Sequence, residues 1–205
     1  VAKALGMDDV VIHIDNHALT NRGDLFSHLG FAREFVANGL AKWKKEAARR
    51  IPKINSPAPI SVSIKDKEVC LHYAGVYVTG IEVGESPEWM KKRLSACGIR
   101  PISNIVDVTN YVMLELGMPM HAFDLDQVQG KKWTMRKSQK GEKVVTLDQK
   151  EWELPGEVIV LDDGNELFDL CGIMGGYQSG IKPETSRVWV HAPIYHPTLI
   201  RRAAR

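Results

Sequence analysis

The spacing of apolar residues predicts one amphipathic helix near the middle of the chain, within residues 105–124. Four apolar positions recur at the interval of a single helix face, namely Ile105, Val108, Val112 and Leu116. Gly117 favours the end of that helix, and Pro119 prevents it from resuming. The pattern therefore predicts a helix with a buried stripe, followed by a loop in which His121 points toward a ligand.

The residues before this helix predict further elements. A short strand is expected over Val10–Ile14 and a helix over Arg22–Asn38, the latter with Leu25, Leu29 and Phe35 buried. A basic helix is expected over Leu40–Arg50, and the proline-rich residues 51–60 are typical of a linker. The predicted organisation is an N-terminal segment of residues 1–50, this linker, and a domain of residues 61–205.

The predicted domain begins with alternation over Val69–Val83, which favours one or two strands in which Gly75 and Gly80 mark bulges or close approaches. Ser86, Pro87 and Glu88 then predict a helix start as N-cap, first-turn proline and first-turn acid, and Gly98 its end.

Beyond Asp124 the chain is rich in strand-length runs separated by turn residues. These runs cover 133–136, 143–147, 151–154, 158–161, 167–172 and 187–191. Strands on both sides of two helices predict an α+β fold, with mixed or antiparallel sheets packed against a few helices.

Composition and charge narrow the class of protein. The chain has 205 residues, of which 44% are hydrophobic, and a formal net charge of +2. It begins with no leader-like segment and has no long apolar run, so we expect a cytoplasmic, globular piece without a membrane contact. Basic residues cluster in 42–50, 91–93 and 201–205, which are more typical of solvated helix faces than of nucleic-acid contacts.

The cysteines predict neither a disulfide framework nor a metal centre. Cys70, Cys97 and Cys171 are odd in number, far apart in sequence, and lack a C-x-x-C pair. We therefore expect reduced thiols and no bound metal.

One segment carries a family resemblance. The run I-V-D-V-T-N-Y-V-M-L-E-L-G-M-P-M-H-A-F-D, residues 105–124, resembles the central editing domain of the β subunit of phenylalanyl-tRNA synthetase. Residues 19–30, the glycine-rich run 171–176 and the basic ending 200–205 resemble other parts of that family, in the same order.

The resemblance implies hydrolytic editing of tyrosine that has been wrongly esterified to the 3′ end of the phenylalanine tRNA. A synthetic pocket for phenylalanine cannot strongly exclude an isostere with one added hydroxyl, so a second, hydrolytic site is useful. The implied partners are that tRNA and the synthetase α subunit. The implied cofactors, ATP and Mg, belong to the parent enzyme, and none is expected in this chain.

The same resemblance implies the site residues. It gives His121 the catalytic role of orienting the water or the ester, while Thr109 and Asn110 line the site. Gly175 would bring its backbone N–H close to the substrate, and Cys171 would narrow the pocket beside the amino-acid ring. The sequence shows no nucleophile elbow, which suits an ester that needs only a positioned water.

One position departs from the family. Where the family typically has a glutamate that accepts the hydrogen bond of the tyrosine phenol, this chain has His191. A neutral imidazole can still accept that bond, but it lacks the charge of a carboxylate. We therefore expect editing that is weaker, pH-sensitive near the imidazole pKa, or shifted in substrate choice.

Other interpretations remain open from sequence alone. Thr109 could be a core hydroxyl bonded within its own helix, Asn110 could bond a neighbouring loop, and Gly175 could belong to a simple turn. The chain as a whole could be a non-catalytic structural or tRNA-binding module of the same subunit, or a free-standing deacylase or RNA-binding protein.

Overall fold

The computed structural model describes residues 3, 8–44 and 57–205. Four helices are present in these residues: α1 (His28–Ala37), α2 (Glu88–Ala96), α3 (Asn104–Leu116) and α4 (Pro197–Ala203). Ten strands accompany them: β1 (Ser61–Ile64), β2 (Cys70–Thr79), β3 (His121–Asp124), β4 (Lys132–Lys137), β5 (Lys143–Val145), β6 (Glu151–Glu153), β7 (Ile159–Asp162), β8 (Leu167–Leu170), β9 (Met174–Gly175) and β10 (Arg187–Tyr195). No helix within 8–44 or 57–205 has the length and apolar content needed to cross a bilayer.

The chain divides into two compact units. The described part of the first unit comprises residues 3, 8–44 and 84–120, and that of the second comprises residues 57–83 and 121–205. The predicted domain of residues 61–205 therefore contributes to both units. Of the predicted linker, residues 51–56 lie outside the described residues, and residues 57–60 form neither helix nor strand.

Three sheets make up the second unit. The largest has the strand order β1-β4-β7-β8-β9, in which β1 and β4 are parallel and the other pairs are antiparallel. The second, with the order β2-β10-β3, is antiparallel throughout. A small β5-β6 hairpin is the third. This mixture of mixed and antiparallel sheets with a few helices confirms the predicted α+β class.

Aromatic rings form the core of the second unit. Phe123, Trp133 and Phe168 meet edge to face with centroids 4.9–5.6 Å apart, and Trp189 packs against Trp133 at 6.3 Å. The indole of Trp189 also lies across β2 at Gly75, where a Cβ would stand 2.2 Å from the ring. The predicted close approach at Gly75 is thus confirmed, because only a residue without a side chain leaves room for the indole.

In the first unit, α3 ends as the sequence predicts. Gly117 adopts φ +77° just after the last helical residue, and its N–H donates to the carbonyl of Met113 at 2.8 Å. The buried stripe was predicted wrongly, since Val108 is exposed while Asp107 and Thr109 are buried. Asp107 is buried because it accepts hydrogen bonds from the Ser86 hydroxyl and from the N–H of Ile102.

That bond also corrects the predicted start of α2. Ser86 does not cap the helix, because its hydroxyl donates to Asp107 at 2.5 Å and Pro87 occupies the N-cap position. The helix nevertheless begins at Glu88 and ends just before Gly98, whose φ is +79°.

The N-terminal elements differ more from expectation. Residues 10–14 form no strand, and their apolar side chains are exposed without a pairing partner among the described residues. The helix predicted over Arg22–Asn38 is divided into a 3-10 turn at Gly23–Phe26 and α1, because Ser27 is extended and caps α1 through the N–H of Gly30. Phe35, predicted to be buried, is exposed. The basic helix predicted over Leu40–Arg50 falls largely on residues 45–50, outside the described residues, and residues 40–44 are not helical.

Candidate functional site: a pair of facing imidazoles

Two histidines meet on the inner face of the β2-β10-β3 sheet. His121 on β3 and His191 on β10 are directly opposite in the antiparallel register, so their side chains project from the same face. Their ring centroids are 6.2 Å apart. The predicted loop position of His121 is therefore wrong: it is the first residue of a strand, and the pairing of β3 with β10 fixes where its ring points.

Aromatic side chains hold both imidazoles in place. The ring of Phe123 lies 4.6 Å from His121 and 4.8 Å from His191, edge to face in each case. Tyr73 from β2 approaches His191 at 5.7 Å, and its hydroxyl accepts a hydrogen bond from Trp189. The site is thus a rigid and largely apolar environment for two polar rings.

Each imidazole has one buried nitrogen without a hydrogen-bond partner among the described residues. These atoms are Nε2 of His121 and Nδ1 of His191. His191 is only 3% exposed, whereas His121 is partly exposed although its Nε2 is buried. Nε1 of Trp133 and Nδ1 of His196 are also buried without a partner among the described residues. The two imidazoles differ from these in that their unpartnered nitrogens belong to facing rings, where a ligand with polar groups would satisfy both.

Burial keeps both rings neutral at physiological pH. It lowers the pKa of His121 from 6.5 to about 4, because the apolar surroundings disfavour the charged form. The pKa of His191 is lowered further, to about 3, first by burial and second by the neighbouring charge that His121 would carry. Each neutral ring offers one N–H donor and one acceptor nitrogen.

Gly175 lies against the ring of His121. A Cβ at this position would stand 2.5 Å from Cε1 and 2.6 Å from Nε2 of the imidazole, and 3.2 Å from Leu147. The backbone carbonyl of Gly175 accepts the N–H of Leu147 at 2.9 Å. Glycine at this position therefore leaves space for the His121 ring, while the predicted approach of its backbone N–H to a substrate stays a prediction.

Cys171 belongs to a buried polar chain in the same unit. The hydroxyl of Tyr195 donates to its sulfur, and its thiol donates to the carboxyl group of Asp169. Burial raises the pKa of the thiol and also raises the pKa of Asp169 to about 7. Cys171 is fully buried in the cluster that includes Phe123 and Trp133, and all three cysteines are free thiols.

Thr109 and Asn110 belong to the other unit, on α3. The hydroxyl of Thr109 donates to the carbonyl of Val106 at 2.7 Å, which is the within-helix bond that the sequence left open as an alternative. Of the six residues predicted for the site, the structure brings His121, His191 and Gly175 together and places Cys171 in the core of the same unit.

Sequence reasoning missed Phe123, Tyr73 and Asp169. The alternation in H-A-F-D, residues 121–124, could have indicated a strand that directs His121 and Phe123 to one face. Asp169 lies within the apolar run of β8, and nothing in its sequence neighbourhood distinguishes it from a surface acid. In the described part of the chain, no three His, Cys, Asp or Glu side chains converge as a metal site would require.

Comparisons with known proteins agree on one family. The B3/4 domain family matches residues 69–205. The phenylalanine–tRNA ligase beta subunit of Carboxydothermus hydrogenoformans is 40% identical over 205 residues, which are 100% of this chain and 25% of the relative. That of Thermotoga maritima is 37% identical over 205 residues, which are 100% of this chain and 26% of the relative. The chain thus spans about a quarter of the length of the curated relatives it matches.

A solved structure shares the fold. It is an N-terminal fragment of the phenylalanyl-tRNA synthetase β-subunit from Pyrococcus horikoshii, with a TM-score of 0.53 and 17% identity over 96% of this chain and 61% of the fragment. The resemblance carried by residues 105–124 is confirmed by these relatives. The chain belongs to the B3/4 domain family, in the form found in phenylalanine–tRNA ligase beta subunits.

Proposed function

We propose that this chain carries out hydrolytic editing within a phenylalanine–tRNA ligase beta subunit, releasing tyrosine from the phenylalanine tRNA. The observation that carries the proposal is the pair formed by His121 and His191, whose buried nitrogens Nε2 and Nδ1 have no partner among the described residues. The names of the relatives supply the class of enzyme in which such a site would act.

His191 would distinguish tyrosine from phenylalanine. Its unpartnered Nδ1 can accept the hydrogen bond of a tyrosine phenol, whereas a phenylalanine ring would leave the nitrogen unsatisfied. A buried group left unpaired costs about 1–3 kcal/mol, which corresponds to roughly 5- to 150-fold in selectivity. Because the imidazole is neutral, the bond lacks the charge assistance that a carboxylate would give it.

His121 would position the attacking water. With a pKa of about 4 the ring is a weak base, so its role is to accept a hydrogen bond and orient the water toward the ester carbonyl. The water oxygen bonds to the carbonyl carbon, the bond to the ribose oxygen breaks, and the proton of the water passes to that oxygen. The products are free tyrosine and deacylated tRNA.

The other predicted residues take supporting roles in the proposal. Gly175 supports the ring of His121 by leaving it space. Cys171 lies in the same buried cluster as Phe123 and Trp133, and its sulfur would narrow the pocket beside the amino-acid ring. Thr109 and Asn110 stay predictions that rest on the family resemblance, since both lie on α3 of the first unit. The α subunit, ATP and Mg would serve the parent enzyme, which we expect to act in the cytoplasm.

The test is deacylation of the phenylalanine tRNA charged with tyrosine or with phenylalanine. We expect the wild-type chain to release tyrosine preferentially, His121→Ala to lose most of the rate on both substrates, and His191→Ala to lose the preference. His191→Glu should increase the preference because a carboxylate accepts the phenol bond more strongly. Rates between about pH 6 and pH 8 should be nearly constant, since both imidazoles titrate far lower.

The second candidate function is that of a non-catalytic module, and the contacts of Phe123 with the imidazole pair support it. Phe123 contacts both imidazoles edge to face, as in a closed aromatic core. If neither His121→Ala nor His191→Ala changes the release of tyrosine, the editing proposal is wrong and the structural role remains.

A further inference from the structure

An exposed cluster of one cation and two aromatic rings lies on the first unit, away from the imidazole pair in sequence. It consists of Trp89 and Arg93 on α2 and Tyr111 on α3, and is called here the Trp89–Arg93–Tyr111 cluster. Arg93 Nη1 donates to the hydroxyl of Tyr111 at 2.7 Å, and the Trp89 and Tyr111 rings are perpendicular with centroids 5.3 Å apart. The guanidinium carbon lies 5.4 Å from the Trp89 centroid and 6.0 Å from that of Tyr111.

The cluster presents its aromatic surface to solvent. Trp89 is 50% exposed, although its indole is anchored on one side by Arg93 and Tyr111. Because half of the Trp89 side chain stays in contact with water, its burial contributes little to the stability of the fold. The indole can, however, offer a flat face on which a second planar group stacks.

The charge around the cluster favours an anionic occupant. Arg93, Lys92 and Arg100 are exposed and form no salt bridge within the described part of the chain, although the charge of Lys92 also acts on Glu88 and helps to lower the pKa of that carboxyl. Lys91, by contrast, is paired with both Glu85 and Glu88. Lys91, Glu85 and Glu88 together carry one net negative charge, whereas Lys92, Arg93 and Arg100 carry three positive charges. The surface is therefore positive overall and attracts phosphate groups at short range.

We propose that the Trp89–Arg93–Tyr111 cluster binds unpaired nucleotides of RNA, with a base stacked on Trp89 and an adjacent phosphate held by Arg93 and Lys92. The proposal deepens the proposed function, since it assigns a contact for a tRNA substrate outside the imidazole pair. Unpaired nucleotides are the fitting occupant because their bases are free to leave the helical stack, whereas duplex RNA exposes phosphates and no base faces.

The test is the affinity of a fluorescently labelled, unstructured RNA ending in CCA, measured by anisotropy with the 205-residue chain. Stacking of one base on an aromatic side chain accounts for about 5- to 150-fold in affinity, so Trp89→Ala should weaken binding by that factor. Trp152→Ala is the matched control, because Trp152 is 48% exposed on β6 and no arginine of the described residues lies against its ring. It should bind within about twofold of wild type.

Salt dependence separates stacking from phosphate contacts. Trp89→Ala should leave the slope of log affinity against log salt unchanged, whereas Lys92→Ala and Arg93→Gln should each reduce it by roughly 0.7. Arg93→Lys should keep the slope but lower the affinity, since lysine cannot hold the planar contact with Trp89. Trp89→Phe keeps an aromatic face and should restore most of the affinity, which answers the concern that Trp89→Ala disturbs α2.

Three results would overturn the proposal. They are the absence of RNA binding by the wild-type chain at low salt, equal losses for Trp89→Ala and Trp152→Ala, or wild-type affinity in Trp89→Ala. The first would leave the cluster as a protein-contact surface, for which Trp, Tyr and Arg are also typical. Because the RNA carries no amino acid, the assay remains readable even if His121→Ala shows that the editing proposal is wrong.

Discussion

The imidazole of His121 lies so close to the backbone of Gly175 that a single methyl group between them would stand 2.5 Å from the ring. The two residues come from strands of different sheets, so their contact joins the β2-β10-β3 sheet to the edge of the five-stranded sheet. The orientation of His121 thus depends on both sheets at once.

Gly175→Ala should therefore displace the His121 ring and destabilise the chain. Forcing a methyl group into a packed site typically costs about 1–3 kcal/mol, and we expect a loss of that size in urea unfolding. Gly84→Ala is the control, because nothing lies within 4 Å of a Cβ at Gly84 and its φ is not positive. An unchanged unfolding free energy for Gly175→Ala would show that the ring moves freely.

The imidazole pair should make stability depend on pH. The pKa values of about 4 for His121 and about 3 for His191 are below the ordinary 6.5, so the unfolded chain binds protons that the folded chain does not. Their contribution is present above pH 6.5 and is lost as pH falls toward 3. His191→Phe should reduce the slope of unfolding free energy between about pH 4.5 and 6 by up to ~1.4 kcal/mol per pH unit. The control is His13→Asn, which replaces an exposed imidazole and should change the unfolding free energy little, as surface substitutions usually do.

Asp169 should make the free energy of unfolding depend on pH in the opposite direction. Its pKa is raised by burial from 3.8 to about 7, so its contribution is fully present below pH 3.8 and is lost as pH rises through 7. Asp169→Asn removes the ionisation and keeps a polar group beside Cys171. We expect a higher melting temperature than wild type at pH 8, by at least about 2–4 °C, and little gain at pH 4.

The control for that comparison is Asp15→Asn, since Asp15 is exposed on the first unit. It should change the melting temperature little, because substitutions of exposed side chains usually have small effects on stability. A gain for Asp169→Asn that is the same at pH 4 and pH 8 would mean that ionisation of Asp169 is not its cause.

How far the sequence predicts this site depends on whether the determining contacts are local. The end of α3 was predictable because Gly117 adopts its left-handed conformation as a property of a few adjacent residues. The facing of His121 and His191 was not, because it depends on the register of strands 70 positions apart along the chain.

The wrong predictions near the N-terminus and at the start of α2 have the same origin. Residues 10–14 have the composition of a strand, but no neighbouring strand among the described residues pairs with them. Ser86 has the character of an N-cap, but Asp107, 21 residues later, takes its hydroxyl instead. Local preference is therefore overridden in both cases, by the lack of a pairing strand in the first and by a distant hydrogen-bond partner in the second.

Arg136 offers a test of the five-stranded sheet. It bonds both oxygens of Glu142 and also Asp162, and its side chain is only 18% exposed. Arg136→Ala leaves two partly buried carboxylates without their partner, so we expect a loss of about 1–3 kcal/mol in unfolding free energy. Lys143→Ala, which breaks an exposed pair with Glu151, should cost clearly less, because solvent screens that pair. Equal losses would mean that burial of the Arg136 network contributes nothing.

The three-stranded sheet determines how long the connection between β2 and β3 must be. Both β2 and β3 are antiparallel to the central β10, so they run in the same direction on its two sides. Residues 80–120 connect them. From the register of Thr79 with Arg187 and of His121 with His191, the gap to be bridged is about 17 Å, which roughly ten residues could cross. The strand pairings of the second unit therefore do not depend on the length of this connection, and a connector of about ten residues would satisfy the same registers.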